Sequence, residues 1–190
     1  MKLGDDMLVL KRVVFGLMAV SAVLFLWMGQ EQQQFEEGGE GPLSYAQPGH
    51  DAPDFEAQTF DDQSFSLAEA KGEKGIVLYF WTSWCPYCQA SSEAIEKAHQ
   101  DYGNEVALIG INASHQDQLS EAEQFISRNS LTFTNIIDEN GSVSERYYVP
   151  PVPATVFINK EGAITYRKTG ALTYAELERE IQALRQGEGS

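Results

Sequence analysis

The run GIVLYFW (Gly75 to Trp81) limits what this chain can fold into more than any other stretch. It is continuous, apolar, β-branched and aromatic, with none of the polar alternation of a strand that wets one face. It therefore reads as a strand buried on both sides. Such a strand needs a covering layer on each face, which implies an α/β arrangement. The segment that follows has helical character: Pro86 suits a first helical position, and Ala90, Ala94, Ile95, Ala98 and Tyr102 continue at helical spacing. Both cysteines of the chain, Cys85 and Cys88, fall at this strand-to-helix junction.

The same logic orders the rest. FEAQTFDDQSFSL, two short alternating runs around Asp61 and Asp62, reads as a hairpin. EVALIGINAS is a second buried strand. A helix follows, opened by a Ser120-x-x-Glu123 capping box with Phe125 and Ile126 facing inward. FTNIID is a short strand and SVSERYYV a short helix stopped by Pro150 and Pro151; ATVFINKEGAITYRKTG supplies two strands joined by a turn at Asn159 to Gly162. A last helix starts at Thr173, with Glu176 completing a capping box and Tyr174, Leu177, Ile181 and Leu184 forming its apolar stripe. The order β, α, β, α, β, β, α behind a hairpin implies one mixed sheet sandwiched by helices.

Upstream lies a different kind of sequence. VVFGLMAVSAVLFLWMG (Val13 to Gly29) is uncharged and apolar, preceded by Lys11 and Arg12 and followed by QEQQQFEEGGEG, which has no basic residue. At ~1.5 Å per residue it reaches roughly 26 Å, and MLVL before Lys11 extends it while the basic side chains snorkel. The charge asymmetry puts residues 1–12 in the cytoplasm, 13–29 in a membrane as a signal anchor, 30–47 in a flexible linker and 48–190 in a domain outside. A cleaved signal peptide, with secretion, is the competing reading; its apolar region is ordinarily shorter, and LWMGQEQQQ offers little but Gly29 as a small residue. A net charge of -15, with no basic stripe after Arg12, argues against a nucleic-acid partner. One set of hydrophobic elements on a tether suggests a monomer.

The cysteine pair admits three uses. Zinc needs four ligands, and no histidine among His50, His99 and His115 is spaced to join the pair, so no metal is expected. A purely structural bridge between Cys85 and Cys88 would close almost no loop and restrict the unfolded chain very little. A redox pair has a physical cause for each part. The free N–H groups and positive dipole of a helix start favour a thiolate at Cys85, making it the attacker. Cys88, one turn on, is placed to resolve the mixed disulfide. Trp81 and Trp84 offer an apolar rim, although core filling is the plainer reading of Trp81 in its strand.

With these residues in view, the segment from about 48 to 186 resembles the thioredoxin superfamily, and within it the TlpA/ResA-like membrane-anchored thiol-disulfide oxidoreductases. The resemblance rests on APDF (52–55), FWTSWCPYC (80–88) and PVPATVFINKEG (151–162), in that order. It implies a thioredoxin-like fold: a central mixed sheet flanked by helices, with an N-terminal β-hairpin extension, behind one N-terminal transmembrane helix. It implies that Pro153 is a cis-proline beside the CxxC and that the backbone of Val152 pairs with bound substrate. Trp84, Pro86 and Tyr87 are the other substrate-binding candidates, and no cofactor is needed. It also implies a CcdA-type membrane electron donor and an apocytochrome c as the substrate reduced before haem attachment. Reduction of envelope or spore-cortex assembly proteins is the related alternative.

The chain departs from the family at two carboxylates. A glutamate three residues after the second cysteine is replaced by Ser91, and Glu93 lies on another side of the helix; the buried aspartate six residues before the first cysteine is replaced by Tyr79. The proton acceptor for Cys88 is therefore left open. Pro86-Tyr87 resembles the glutaredoxin dipeptide and leaves a disulfide oxidase or isomerase open. From other classes, a thiol peroxidase fits T-x-x-C at Thr82 but has Leu78 where the proline of PxxxTxxC belongs, and a non-catalytic binding module would retain the fold with an inert pair.

Overall fold

The computed structural model describes residues 46–149 and 151–187. The apolar run 13–29 and most of the expected linker lie outside the described residues, among which no helix is long and apolar enough to cross a membrane.

The strands are β1 (Glu56–Thr59), β2 (Ser64–Ser66), β3 (Gly75–Trp81), β4 (Val106–Asn112), β5 (Thr134–Ile137), β6 (Ala154–Ile158) and β7 (Ile164–Thr169). The helices are α1 (Leu67–Ala70), α2 (Pro86–Tyr102), α3 (Leu119–Arg128), α4 (Ser142–Arg146) and α5 (Tyr174–Gln186). One mixed sheet runs in the order β2-β1-β5-β4-β3-β6-β7. Within it β3, β4 and β5 are parallel, β6 and β7 are antiparallel to their neighbours, and the β1–β2 hairpin joins through β5.

The apolar run therefore becomes a central strand, and every residue of β3 is buried. Its side chains part by period two. Val77, Tyr79 and Trp81 face the layer containing Ile95 of α2, Phe125 of α3 and Leu177 and Ile181 of α5. Ile76, Leu78 and Phe80 face Leu67 of α1 and Val143 of α4. At roughly 1.5–3 kcal/mol for each large apolar side chain taken fully out of water, this strand is a major source of stability. Gly110 of β4 has a steric role, because a Cβ there would lie 2.1 Å from Asn135 Oδ1. That oxygen accepts the indole N–H of Trp81 at 3.1 Å.

Three local expectations are corrected. Helix α3 starts at Leu119, with Gln118 as its N-cap and no side-chain cap, so the Ser120-x-x-Glu123 box does not form. Asp117 takes the Gln118 N–H at 2.9 Å instead. Ala90 of α2 is exposed; the buried face near the start of this helix is made by Cys88, Ser91 and Ser92. Helix α4 ends at Arg146, short of the prolines, and Tyr148 takes a left-handed φ of 53°. The Thr173–Glu176 capping box forms as expected. The packing also includes Ala46, which is 1% exposed and whose carbonyl accepts from Arg167 at 3.1 Å, so the folded unit reaches back at least that far.

Candidate active site

The site sits at the C-terminal end of β3, where the chain leaves the sheet and turns into α2. Cys85 is the N-cap of that helix, and its sulfur accepts the Cys88 N–H at 3.2 Å. A sulfur thus fills the position usually held by a capping oxygen, at the end of the helix where free N–H groups favour negative charge. Pro86 occupies N1, where its missing N–H costs nothing. Cys85 Sγ lies 3.6 Å from the Val152 carbonyl, and the Val152–Pro153 bond is cis. Trp84 and Tyr87 stand out from the surface at 58% and 67% exposure, with Trp84 donating its indole N–H to the Gln116 carbonyl at 2.9 Å. The seven residues singled out from sequence thus occupy one neighbourhood, with the two cysteines inside it and the aromatic rings outside.

Both cysteines are free thiols. Cys88 is fully buried. Burial, with the Cys85 sulfur beside it, pushes its thiol well above the ordinary value, while hydrogen bonds from the Thr82 backbone and the Tyr79 hydroxyl act in the opposite direction. Tyr79 itself is held well above the usual phenol range, first by burial and then by Cys88. Its hydroxyl donates to the Cys88 carbonyl at 3.2 Å. A phenol of this kind stays protonated near neutrality, so it holds the resolving cysteine as a donor and does not serve as its base. Ser91 donates back to the Tyr87 carbonyl at 2.9 Å and Glu93 is exposed, so neither replaces the missing carboxylates. The buried Glu96 is committed elsewhere, accepting from the Thr132 N–H and hydroxyl.

The raised Cys88 value has a consequence for stability. A group held neutral in the fold stabilises fully below its unfolded value, here about 9, and loses that contribution as pH rises toward the folded value. The reduced chain is therefore expected to lose thermal stability above pH 9 more steeply than reduced Cys88→Ala, measured by unfolding scans from pH 7 to 11.

Asp117 was missed from sequence. Its carboxylate accepts the Ser83 N–H and hydroxyl, both at 2.6 Å, and the Asn112 amide at 2.8 Å, tying the loop before the nucleophile to the end of β4. An aspartate two positions before a helix is a recognisable N-terminal signal, but its partner Ser83 is remote in sequence. Charge-assisted hydrogen bonds contribute about 1.5–3 kcal/mol each, not additively. Asp117→Ala is expected to lower unfolding free energy by about 2–3 kcal/mol in chemical denaturation.

Known proteins are similar to this chain in sequence and fold. The AhpC/TSA family matches residues 48–167. The chain is 30% identical to the thiol-disulfide oxidoreductase ResA of Halalkalibacterium halodurans over 143 residues, 75% of this chain and 80% of that one. It is 30% identical to sporulation thiol-disulfide oxidoreductase A of Bacillus subtilis, over 65% of this chain and 74% of the relative. Among solved structures, a secreted Mycobacterium tuberculosis disulfide oxidoreductase homologous to Escherichia coli DsbE superposes with a TM-score of 0.62 at 32% identity, covering 68% of this chain and 95% of that one.

Proposed function

This chain belongs to the AhpC/TSA family and is a protein thiol-disulfide oxidoreductase, and from that premise we propose that it is an extracytoplasmic reductase of apocytochrome c, held to the membrane by residues 13–29. The observation that carries the chemistry is Cys85 at the head of α2, with the Val152 carbonyl on one side and Cys88 behind. The Cys85 thiolate attacks one sulfur of the substrate disulfide. A mixed disulfide forms, and the other substrate sulfur leaves as a thiolate. Cys88 then gives up its proton to that thiolate and attacks Cys85 Sγ. The bond between Cys85 Sγ and the substrate breaks, the second substrate sulfur leaves as a thiolate that takes its proton from solvent, and the chain is left as its disulfide, with two electrons passed.

Outside the cytoplasm the surroundings oxidise thiols, so a reductase there needs electrons delivered through the membrane, which a CcdA-type donor would provide. A second reading is favoured by the similarity to a sporulation oxidoreductase: the same exchange on envelope or spore-cortex assembly proteins.

The reduction potential of the Cys85/Cys88 couple, equilibrated against glutathione or dithiothreitol, tests the direction. A value near or below about -270 mV supports the reductase, whereas one near about -120 mV overturns it in favour of an oxidase. Recovery of the intact chain in the membrane fraction supports the anchor, and a soluble chain lacking its first residues overturns it.

A further inference from the structure

We propose that two adjoining cavities beside Cys85 form a docking groove for a basic segment of the substrate polypeptide, next to the disulfide it presents; this rests on the exchange reading above. The first cavity, about 470 Å³, has Ser83, Trp84 and Glu121 in its walls. The second, about 410 Å³, is walled by Ser144, Glu145 and Tyr148. They share His115 and Gln116 as wall residues, so the two lie side by side between the residue before the nucleophile and Tyr148. Gly141 helps to close the wall: at φ 75° it has no side chain where a Cβ would stand 2.9 Å from the His115 ring.

Three features select the occupant. Among the described residues, Glu121 and Glu145 make no ion pair and no lysine or arginine lines either cavity. Asp117 adds a third carboxylate whose hydrogen-bond donors are uncharged. The Arg167 guanidinium donates to the Ala46, Tyr147 and Tyr148 carbonyls and keeps its charge, so the Tyr148 end is the less acidic of the two. Trp84 and Tyr148, at 58% and 44% exposure, offer aromatic faces to the alkyl stem and cationic head of lysine or arginine. Ser144 is 4% exposed, and its Oγ finds no hydrogen-bond partner among the described residues. That oxygen is already shielded from solvent, so an N–H donor satisfies it only where the wall yields. An acidic segment would meet like charge here, and a purely apolar one would take the carboxylates out of water without a partner.

The test uses the full chain, reduced, with two peptides that share one intramolecular disulfide and differ only in carrying lysine and arginine or glutamate at the flanking positions. At about 0.15 M salt the long-range field is screened beyond roughly 8 Å, so the preference reports local contacts. The basic peptide is expected to be reduced about tenfold more efficiently, through KM. Glu121→Lys with Glu145→Lys should bring the ratio of the two peptides to about one. Glu73→Lys with Glu161→Lys, the same change in net charge at the opposite end of the sheet, should leave it. Because a ratio is read, a poorly folded variant loses both peptides alike and does not mimic the result. Equal rates in the unaltered chain, or an unchanged ratio in the groove variant, overturn the groove. Failure to reduce the neutral hydroxyethyl disulfide overturns the exchange reading itself, and the groove with it.

Discussion

Cys85→Ser is expected to lower disulfide exchange by roughly a thousandfold or more, because it removes the thiol at the head of α2, between the Val152 carbonyl and Cys88. Cys88→Ser has a different signature. The attack by Cys85 survives, but Cys85 Sγ has no internal thiol to displace the substrate, so the mixed disulfide accumulates. Non-reducing electrophoresis and mass spectrometry of Cys88→Ser with a disulfide-bonded protein should show a covalent adduct that dithiothreitol releases. Cys85→Ser should show none, since Cys88 is fully buried and its thiol is held protonated. If the adduct forms on Cys88 in place of Cys85, the two roles are reversed. Fast peroxide consumption that needs Cys85 and is indifferent to Cys88 would favour a thiol peroxidase. Retained partner binding with an inert pair would favour a binding module.

Much of this was legible because the decisive signals are local. The unbroken apolar character of Gly75 to Trp81 predicts a central strand, and its side chains divide between the two faces as an interior strand requires. Pro86 marks the start of α2 correctly, and the Thr173 capping box marks that of α5. What was not legible depends on residues far apart in sequence. Ala90 fits a helical stripe as well as Ser91 does; Ser91 shares the buried face of Cys88, Ile95 and Ala98, and its hydroxyl is satisfied by the Tyr87 carbonyl as that of Ser92 is by Asn129. Ser120 and Asp117 both offer an N-terminal signal, and the nearby loop at Ser83 decides between them. Tyr79 is conspicuous from sequence only as a missing aspartate. Its role as a donor to Cys88 follows from β3 and α2 being brought together in the fold.

The two tryptophans that flank Thr82 and Ser83 separate fold from function most sharply. Trp81 is fully buried, its ring stacked on Phe125 at 4.8 Å between centroids and on Phe60 at 6.4 Å, with its N–H on Asn135. Trp81→Ala removes that ring from a layer that also holds Cys88, leaving a cavity and one amide oxygen short of a donor. The expected loss is about 3–5 kcal/mol, a large part of a typical domain's stability. Trp84→Ala removes a ring that already stands in water and gives up one exposed hydrogen bond, so its stability cost should stay below about 1 kcal/mol. Chemical unfolding followed by far-ultraviolet circular dichroism, which does not depend on the indole signal, compares them directly. A small loss for Trp81→Ala would mean that the layer under the cysteines closes around the vacancy. A large loss for Trp84→Ala would mean that its bond to Gln116 secures the loop, making Trp84 part of the scaffold as well as of the substrate face.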